Sequence, residues 1–255
     1  MTEQEARAGG TASPVVELEE ATFAAQGKIV VEGVTLAFEE GKTTALVGPS
    51  GGGKSTVLKL AAGLIVPTDG AARFRGQDIS TMNRAGRMAF RKESAFVFQD
   101  SALWANQNLR QILELPLKTH FPDIGKKELD ARVREVCALV GYRKDIDIRP
   151  SQLSMGEQKL IAFARAMTCE PKLLFLDEWT ESLDDNAARR LVALVRKRQE
   201  AGTTVIFVSH NLGIIREIAH GISMIVDGKL SLSVTAEEFA NNDNLSRTIE
   251  KGIAL

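Results

Sequence analysis

The segment GPSGGGKST, residues 48–56, combines glycines, a lysine and three hydroxyl residues at a spacing that binds phosphate groups. It follows a short apolar stretch that predicts a buried strand, and it precedes a stretch with helical periodicity. Glycines let the backbone N–H groups face an anion, and the following helix N-terminus adds partial positive charge. We expect Lys54 to reach the outer phosphates and the Ser55 hydroxyl to bind Mg²⁺. The predicted phosphate-binding residues are Gly48, Pro49, Ser50, Gly51, Gly52, Gly53, Lys54, Ser55 and Thr56.

Two carboxylates, Asp177 and Glu178, follow the apolar stretch LLFL, which predicts another buried strand. Ligands of open parallel sheets bind at the carboxyl ends of the strands, so these acids are expected beside the phosphate loop. Asp177 can hold Mg²⁺ through its water shell, and Glu178 can act as the base that orients an attacking water. The alternatives are a strand that ends in solvated acids and a glycine-rich turn that binds nothing. The two motifs together favour phosphoryl chemistry.

The composition of the chain limits the classes of protein to consider. The 255 residues carry a formal net charge of -1, which gives no electrostatic reason to expect a nucleic-acid partner. Two cysteines, Cys137 and Cys169, argue against a disulfide scaffold and for the cytosol. No apolar run approaches the roughly 18 residues that span a bilayer, and the N-terminus lacks the apolar block of a signal peptide. A protein of this kind that serves a membrane is expected to do so from outside the bilayer.

The hydrophobic pattern predicts an α/β fold. Two N-terminal stretches, VVELEEATFA and VEGVTLAFEEG, alternate apolar and polar residues, which is typical of antiparallel strands. Short apolar stretches then alternate with helical patterns, which predicts a mainly parallel sheet covered on both faces. Between residues 101 and 152 apolar residues recur at intervals of three and four, so a helical insertion is expected there.

Besides these two motifs, four further segments carry polar residues that are candidates for the same site. They are VFQD with Gln99, LSMGEQ beginning at Leu153, ESLDD with Asp184, and VSH with His210. From about Val15 to Asp227 the sequence resembles the nucleotide-binding domain, or ATPase subunit, of ABC transporters. The resemblance implies a P-loop NTPase core of the RecA-like type, with an N-terminal antiparallel β-subdomain and an inserted α-helical subdomain. It also implies ATP and Mg²⁺ as cofactors.

On this resemblance the chain divides into five parts. Residues 1–13 are expected to form a disordered tail, and residues 14–100 the antiparallel β-subdomain with the first part of the ATP-binding core. Residues 101–152 form the inserted helical subdomain. Residues 153–235 form the signature helix and the second part of the core, and residues 236–255 a C-terminal helical tail.

The family architecture implies a second ATPase subunit that faces this one head to tail, as a homodimer or as a different chain. Each ATP then lies between the phosphate loop of one chain and the signature LSMGEQ of the other. Gln99 joins the two other predicted Mg²⁺ ligands, Ser55 and Asp177. The implied catalytic residues are Lys54, Gln99, Glu178 and His210, the last of which steadies the γ-phosphate. The residues implied at the nucleotide from the signature and the D-loop are Ser154, Gly156, Glu157 and Asp184.

Four positions depart from the family pattern. In the signature, Met155 stands in place of a glycine and Glu157 in place of a glutamine. A position that requires a positive φ would tolerate Met poorly, so we expect weaker closure of the site or slower turnover. The aromatic residue that stacks on adenine is missing near Ala25. Trp179 replaces a proline after the predicted base, where it could pack at the dimer seam.

The segment FQDSALWANQNLRQILELPLKTH is similar to the corresponding part of the ATPases of Mce/Mla-type phospholipid transporters. The resemblance implies that residues Gln99 to Trp104 contact an integral membrane permease. In such a system an Mce-domain lipid-binding protein is a further partner. The alternative is that Leu103 and Trp104 pack inside the helical insertion.

The function expected from the sequence is ATP hydrolysis that drives a permease from the cytoplasmic side of the cell membrane, with phospholipid as the cargo. One alternative is the ATPase of another ABC system, for lipoprotein release or solute import. A second alternative is a low-turnover ATP-binding switch that regulates a membrane partner. Glu178 and His210 favour a motor over a switch, because both residues serve hydrolysis.

Overall fold

A computed structural model describes residues 14–254, so the predicted tail of residues 1–13 lies outside the described residues. The strands are β1 (Pro14–Ala25), β2 (Lys28–Glu39), β3 (Thr43–Val47), β4 (Asp69–Phe74), β5 (Gln77–Asp78), β6 (Ser94–Val97), β7 (Leu173–Asp177), β8 (Thr204–Val208), β9 (Gly221–Val226) and β10 (Lys229–Thr235). The α-helices are α1 (Lys54–Ala61), α2 (Arg84–Glu93), α3 (Leu109–His120), α4 (Lys126–Val140), α5 (Met155–Met167), α6 (Asp185–Glu200), α7 (Leu212–Ile218), α8 (Ala236–Asn241) and α9 (Asp243–Ala254). Within the described part of the chain, no helix has the length and apolar character needed to cross a membrane.

The N-terminal strands β1 and β2 form a long antiparallel hairpin. Its turn residues, Gln26 and Gly27, have φ values of 51° and 75°, as a two-residue type I′ turn requires. β4 pairs with the other edge of β1, and β5 extends the sheet to give the order β2-β1-β4-β5. The predicted antiparallel sheet is therefore confirmed.

The second sheet has the strand order β10-β9-β3-β8-β7-β6 and is parallel except for its edge strand β10. β7 and β8 are buried along their whole length, and alternate residues enter apolar clusters on opposite faces of the sheet. Asp177 at the end of β7 lies level with Val208 at the end of β8. The segments that follow β3, β7 and β8 therefore meet at one edge of the sheet, and the predicted mainly parallel core is confirmed.

Two apolar clusters hold these layers together. One cluster joins a face of the parallel sheet to α3, α4, α5 and α6. The other cluster joins the opposite face to the antiparallel sheet, α1 and α2. The helices expected between residues 101 and 152 are α3 and α4, and both bury their apolar side chains in the first cluster.

Trp179 is fully buried in the first cluster, and its ring centroid lies 5.8 Å from that of Phe163 on α5. The expectation that Trp179 packs at a dimer seam is wrong, because the whole side chain lies inside its own chain. Because the Trp179 ring packs against the middle of α5, the chain directly after Glu178 is held against that helix. The departure from proline is therefore explained by packing between β7 and α5.

The hairpin of β9 and β10 is the main element that the sequence analysis missed. Its two turn residues, Asp227 and Gly228, have φ values of 48° and 77°, so this is again a type I′ geometry. β10, with the sequence KLSLSVT, alternates half-buried and exposed residues. An Asp-Gly pair flanked by alternating apolar residues is a strong hairpin signal and would have predicted both strands.

Candidate nucleotide-binding site

The phosphate loop runs from the end of β3 at Val47 to the start of α1 at Lys54. Gly48 has a φ of 135°, and a Cβ atom there would overlap the carbonyl group of Ile225 on β9. Gly53 has a φ of 98°, and a Cβ atom there would lie 3.0 Å from the Val30 carbonyl oxygen. Only glycine fits both conformations and both close approaches, so the loop needs glycine at its first and last positions.

The turn of the β9–β10 hairpin and strand β2 support the loop. The Gly228 N–H donates to the Gly52 carbonyl at 3.0 Å, and the Gly228 carbonyl accepts from the Glu32 N–H at 2.9 Å. The turn of the β9–β10 hairpin therefore connects the loop to β2. Ser50 and Gly51 lie at the exposed tip, whereas Gly48 and Gly52 are buried.

Lys54 is a buried cation inside this loop. Its Nζ atom donates to the carbonyl oxygens of Gly48 and Pro49 at 2.9 and 2.7 Å. Burial lowers the pKa of Lys54, while the nearby carboxylates of Glu178 and Asp177 oppose that shift. An ammonium group that is removed from water favours a negatively charged ligand.

The first turn of α1 also fits an anion. No side chain caps this helix, and its first turn contains no acidic residue. The N–H groups at the helix start are therefore left to a ligand or to water, and they carry the positive end of the helix dipole. The buried lysine and the uncapped helix together match the phosphates of a nucleotide.

Ser55 and Asp177 come together from α1 and β7. The Ser55 hydroxyl donates to Asp177 Oδ1 at 2.8 Å. Burial raises the pKa of Asp177, and the bond from Ser55 opposes that shift. Mg²⁺ binds through a few protein oxygens and completes its shell with water and phosphate oxygens. A hydroxyl and a carboxylate beside a phosphate loop fit this ion.

Glu178 follows β7 directly and is almost completely buried. Burial raises its pKa to about 7, and repulsion from Glu181 and Asp177 adds to the shift. Glu178 Oε1 lies 3.1 Å from Nε2 of His210, which follows the neighbouring strand β8. A carboxylate with a pKa near neutrality is well suited to accept a proton from water.

Gln99 lies at the border of the site in this structure. Its side-chain amide donates to Glu181 Oε2 at 3.1 Å. Among residues 14–254 no hydrogen bond joins the Gln99 side chain to Ser55 or Asp177, so its place on Mg²⁺ stays a prediction. The sequence analysis missed Glu181, although it is an acid only three residues beyond the predicted base.

The signature turn begins α5 with Ser154 as the helix cap. The Ser154 hydroxyl accepts from the Glu157 N–H at 3.3 Å, and Glu157 Oε2 accepts from the Ser154 N–H at 3.0 Å. Glu157 Oε1 also lies 2.6 Å from Lys144 Nζ, and this partner is the largest cause of the lowered pKa of Glu157. Glu157 therefore completes a capping box and forms an ion pair.

Met155 is the first residue of α5 and has a helical backbone, so the concern about a positive φ at this position is wrong. Its side chain is 72% exposed. The glycine requirement lies one residue later, because a Cβ atom on Gly156 would lie 2.9 Å from the Ser182 carbonyl oxygen. Asp184 accepts from the N–H groups of Asn186 and Ala187 at 2.9 Å and thereby caps α6.

The fold and the site define a class of protein. A parallel sheet carries a glycine loop with a buried lysine, a Ser–Asp pair and a Glu–His pair at the carboxyl edge of its strands. This is the arrangement of a P-loop enzyme that hydrolyses a nucleoside triphosphate.

Comparisons with known proteins define the family. A family model described as ABC transporter matches residues 31–181. The nickel import ATP-binding protein NikE of Shigella flexneri serotype 5b is 36% identical over 234 residues, which is 90% of this chain and 85% of that protein. NikE of Escherichia coli K12 is 34% identical over 233 residues, or 89% of this chain and 87% of that protein. The chain belongs to the ABC transporter family and is an ATPase of that family, whose domains bind ATP with Mg²⁺.

Solved structures agree with this assignment. The dimeric ATP-binding cassette MJ0796, bound to ADP and Pi in a post-hydrolysis state, has a TM-score of 0.80 at 27% identity over 87% of this chain and 98% of that chain. cbiO1 from Clostridium perfringens, part of the ABC transporter complex cbiONQ, has a TM-score of 0.74 at 25% identity over 94% and 95%. The named relatives are described by nickel import, so the expected Mce/Mla-type phospholipid system gains no support from them.

Proposed function

We propose that this chain is the ATP-hydrolysing subunit of an ABC importer for a small solute, and that it drives a membrane permease from the cytoplasmic side. The observation that carries the hydrolytic role is Glu178, a buried carboxylate with a pKa of about 7 that lies against His210. A protein that only bound ATP would have no need of a base tuned to neutrality. This geometry favours a motor over a low-turnover switch.

The positions of most of the predicted residues support the roles proposed for them. The loop of residues 48–56 and the start of α1 bind the phosphates, with Lys54 as the buried cation. Ser55 and Asp177 would hold Mg²⁺, which would supply positive charge beside the phosphate oxygens. Gln99, whose amide donates to Glu181 in this structure, is proposed as a further ligand. Glu178 accepts a proton from water, and His210 orients the carboxylate and the terminal phosphate.

The exposed signature turn supports a head-to-tail dimer. Ser154 and Met155 are exposed at the start of α5. Ser154 and Glu157 form hydrogen bonds with each other, and Glu157 also pairs with Lys144. Neither Ser154 nor Glu157 forms a hydrogen bond with the phosphate loop within the described residues. A second copy of the chain could present its own turn to the nucleotide, and the similar cassette MJ0796 is described as dimeric.

The proposed contact with the permease lies around Trp104. Its side chain is 44% exposed and stacks near Arg165, whereas the neighbouring Leu103 packs partly into the first apolar cluster. A groove beside Trp104 is lined by Phe96, Phe98 and Pro116. An exposed aromatic ring at the edge of an apolar groove is suited to anchor a segment of another protein.

The cargo is the least specified part of the proposal. The names of the relatives, nickel import ATP-binding proteins, favour import of a small solute over lipid transport. Phospholipid transport with an Mce-domain partner is therefore the second candidate function, and the experiment below distinguishes it from solute import.

The test is a pull-down of the tagged chain from its native membrane, carried out with Glu178→Gln to hold the ATP-bound state and with Lys54→Ala as the unbound control. Mass spectrometry then identifies the proteins and lipids that are captured. A permease with a solute-binding protein, enriched with Glu178→Gln and not with Lys54→Ala, supports the proposal. A permease with an Mce-domain protein and phospholipid would replace solute import by lipid transport. Capture of no membrane protein would overturn the transport function.

A further inference from the structure

Lys159 is a second buried lysine beside the site, and no motif identified in the sequence includes it. It lies on α5, five residues after Ser154, and its side chain is only 3% exposed. Its Nζ atom donates to the carbonyl oxygen of Gln99, and the carbonyl oxygens of Glu178 and Phe98 lie 3.4 and 3.5 Å from it. One ammonium group therefore meets the backbone of two predicted catalytic residues.

Such a group is costly to bury, so its presence needs an explanation. Removal of an ammonium group from water is unfavourable unless hydrogen bonds and charges compensate for it. Burial lowers the pKa of Lys159, while the carboxylates of Glu181, Asp177, Asp100 and Glu178 oppose that shift. An apolar side chain of similar length would fill the same space without this cost. The contacts of Nζ with the three carbonyl oxygens, rather than the packing of the side chain, therefore explain why this position has a lysine and not an apolar residue.

The backbone of Glu178 depends on such contacts. Glu178 has a φ of 42°, a left-handed conformation that is unfavourable for a residue other than glycine. Its N–H donates to the Val208 carbonyl at 3.2 Å, and its carbonyl faces Lys159 at 3.4 Å. These two bonds fix the peptide groups on either side of the Glu178 Cα atom. The direction in which the carboxylate points is therefore set partly by Lys159.

We propose that Lys159 is a positioning residue for ATP hydrolysis, which holds the backbone of Gln99 and Glu178 in place against the signature helix of the same chain. This inference rests on the proposed role of Glu178 as the base. It adds a connection that the motifs do not show. The start of α5 carries the signature turn, which would face a nucleotide on a partner chain. About one and a half turns later, Lys159 of the same helix positions Glu178, the base of its own chain.

The experiment compares Lys159→Met with Lys159→Arg and with the matched control Arg132→Met. Arg132 holds the other end of α5, because its guanidinium group donates to the carbonyl oxygens of Thr168 and Met167 at 2.9 Å. Within residues 14–254 its ion pairs are with Glu135 and Glu170, which are not site residues. For each purified full-length variant, kcat and KM for ATP and the thermal midpoint are measured. A purely structural role for Lys159 predicts the same pattern for both methionine variants.

We expect Lys159→Met to lower kcat by about ten- to a hundredfold while KM for ATP changes less than about threefold, since small displacements of a catalytic group have effects of this size. Lys159→Arg should restore part of kcat. Arg132→Met should lower the thermal midpoint and leave kcat within about twofold of the wild type.

Two outcomes would overturn this inference. One is wild-type kcat in Lys159→Met, and the other is a loss of kcat that follows the loss of stability equally in Lys159→Met and Arg132→Met. Glu178→Gln is measured in parallel to separate this result from failure of the proposed function. If Glu178→Gln is inactive and Lys159→Met is unaffected, the role of Lys159 alone is wrong. If Glu178→Gln is fully active, the assignment of the base is wrong.

Discussion

Two helix starts in this chain are predicted to face phosphate, and they are built in opposite ways. α1 begins after Gly53 with no side-chain cap and no acid in its first turn. α5 begins at Ser154 with a complete capping box, in which the acid Glu157 is paired with Lys144.

The difference between the α1 start and the α5 start shows which of them can bind phosphate within one chain and which needs a second chain. The α1 start leaves its N–H groups open and adds a buried cation, so it is prepared to bind an anion within one chain. The α5 start satisfies its own polar groups, since the Ser154 hydroxyl is bonded to Glu157. We infer that the α5 start must exchange some of these bonds when it faces a nucleotide on another chain.

The strongest test of the comparison is Lys54→Ala at the α1 start. The substitution removes the buried cation of the phosphate loop, and we expect hydrolysis to fall by at least about a hundredfold. Steady-state phosphate release measures this loss, and a thermal melt checks that the variant is folded. The corresponding substitution at the α5 start, Lys144→Ala, should reduce turnover by no more than about threefold. Equal losses in the two variants would contradict the comparison.

The pH dependence of hydrolysis provides the second test. The pKa of Glu178 is raised to about 7, so its base form increases as pH rises through 7. We expect kcat to increase about tenfold between pH 6 and pH 8. The pKa of Glu157 is lowered, so it stays ionised over this range and adds nothing to the profile. Glu157→Gln should therefore show the same profile as the wild type, and a flat profile in the wild type would argue against Glu178 as the base.

The third test is Gly156→Ala. The new Cβ atom would lie 2.9 Å from the Ser182 carbonyl oxygen, so the start of α5 or the segment before α6 has to shift. We expect a loss of about 1–3 kcal/mol in the free energy of unfolding, measured by denaturant titration. Gly125→Ala is the matched control, because Gly125 precedes α4 and a Cβ atom there meets nothing within 4 Å. If both variants are equally stable, the glycine requirement at position 156 is not steric.

The smallest expected effect belongs to Glu157→Gln. Glutamine can replace glutamate in a capping box, so the helix start is retained and only the ion pair with Lys144 is lost. Lys144 is 69% exposed, which limits the loss of stability to about 0.5 kcal/mol. Turnover should stay within about threefold of the wild type. A large gain in turnover would instead identify Glu157 as an inhibitory residue.

The sequence was sufficient for the parts of the fold and site that depend on neighbours along the chain. The phosphate loop, the buried strand before Asp177 and the alternation of β1 and β2 were all predicted from local pattern. The position of Trp179 inside the first apolar cluster was not, because its contact with Phe163 joins distant segments. Lys159 was missed for the same reason, since its three carbonyl partners lie in the segments that follow β6 and β7.

The signature shows a different limit of sequence reasoning. Comparison with a family pattern flagged Met155 because a glycine is usual there, but the backbone at this position is helical and the steric requirement falls on Gly156. Glu157 was noted only as a replacement of glutamine, whereas the structure pairs its carboxylate with Lys144, thirteen residues earlier. A family pattern shows which residue type is usual at a position. The reason for that residue type depends on which atoms lie close to it in the folded chain.

The support that β9 gives to the phosphate loop has a consequence for shortened forms of this protein. All the predicted site residues lie between Gly48 and His210, but Gly48 packs on Ile225 and Gly52 accepts a hydrogen bond from Gly228. A fragment that ended soon after His210 would contain every motif and would leave β3 as an unpaired edge beside a loop without its support. Its motifs alone would identify such a fragment as an ATPase. We expect it to be inactive, because the phosphate loop would lack the support of β9 and of the turn that follows β9.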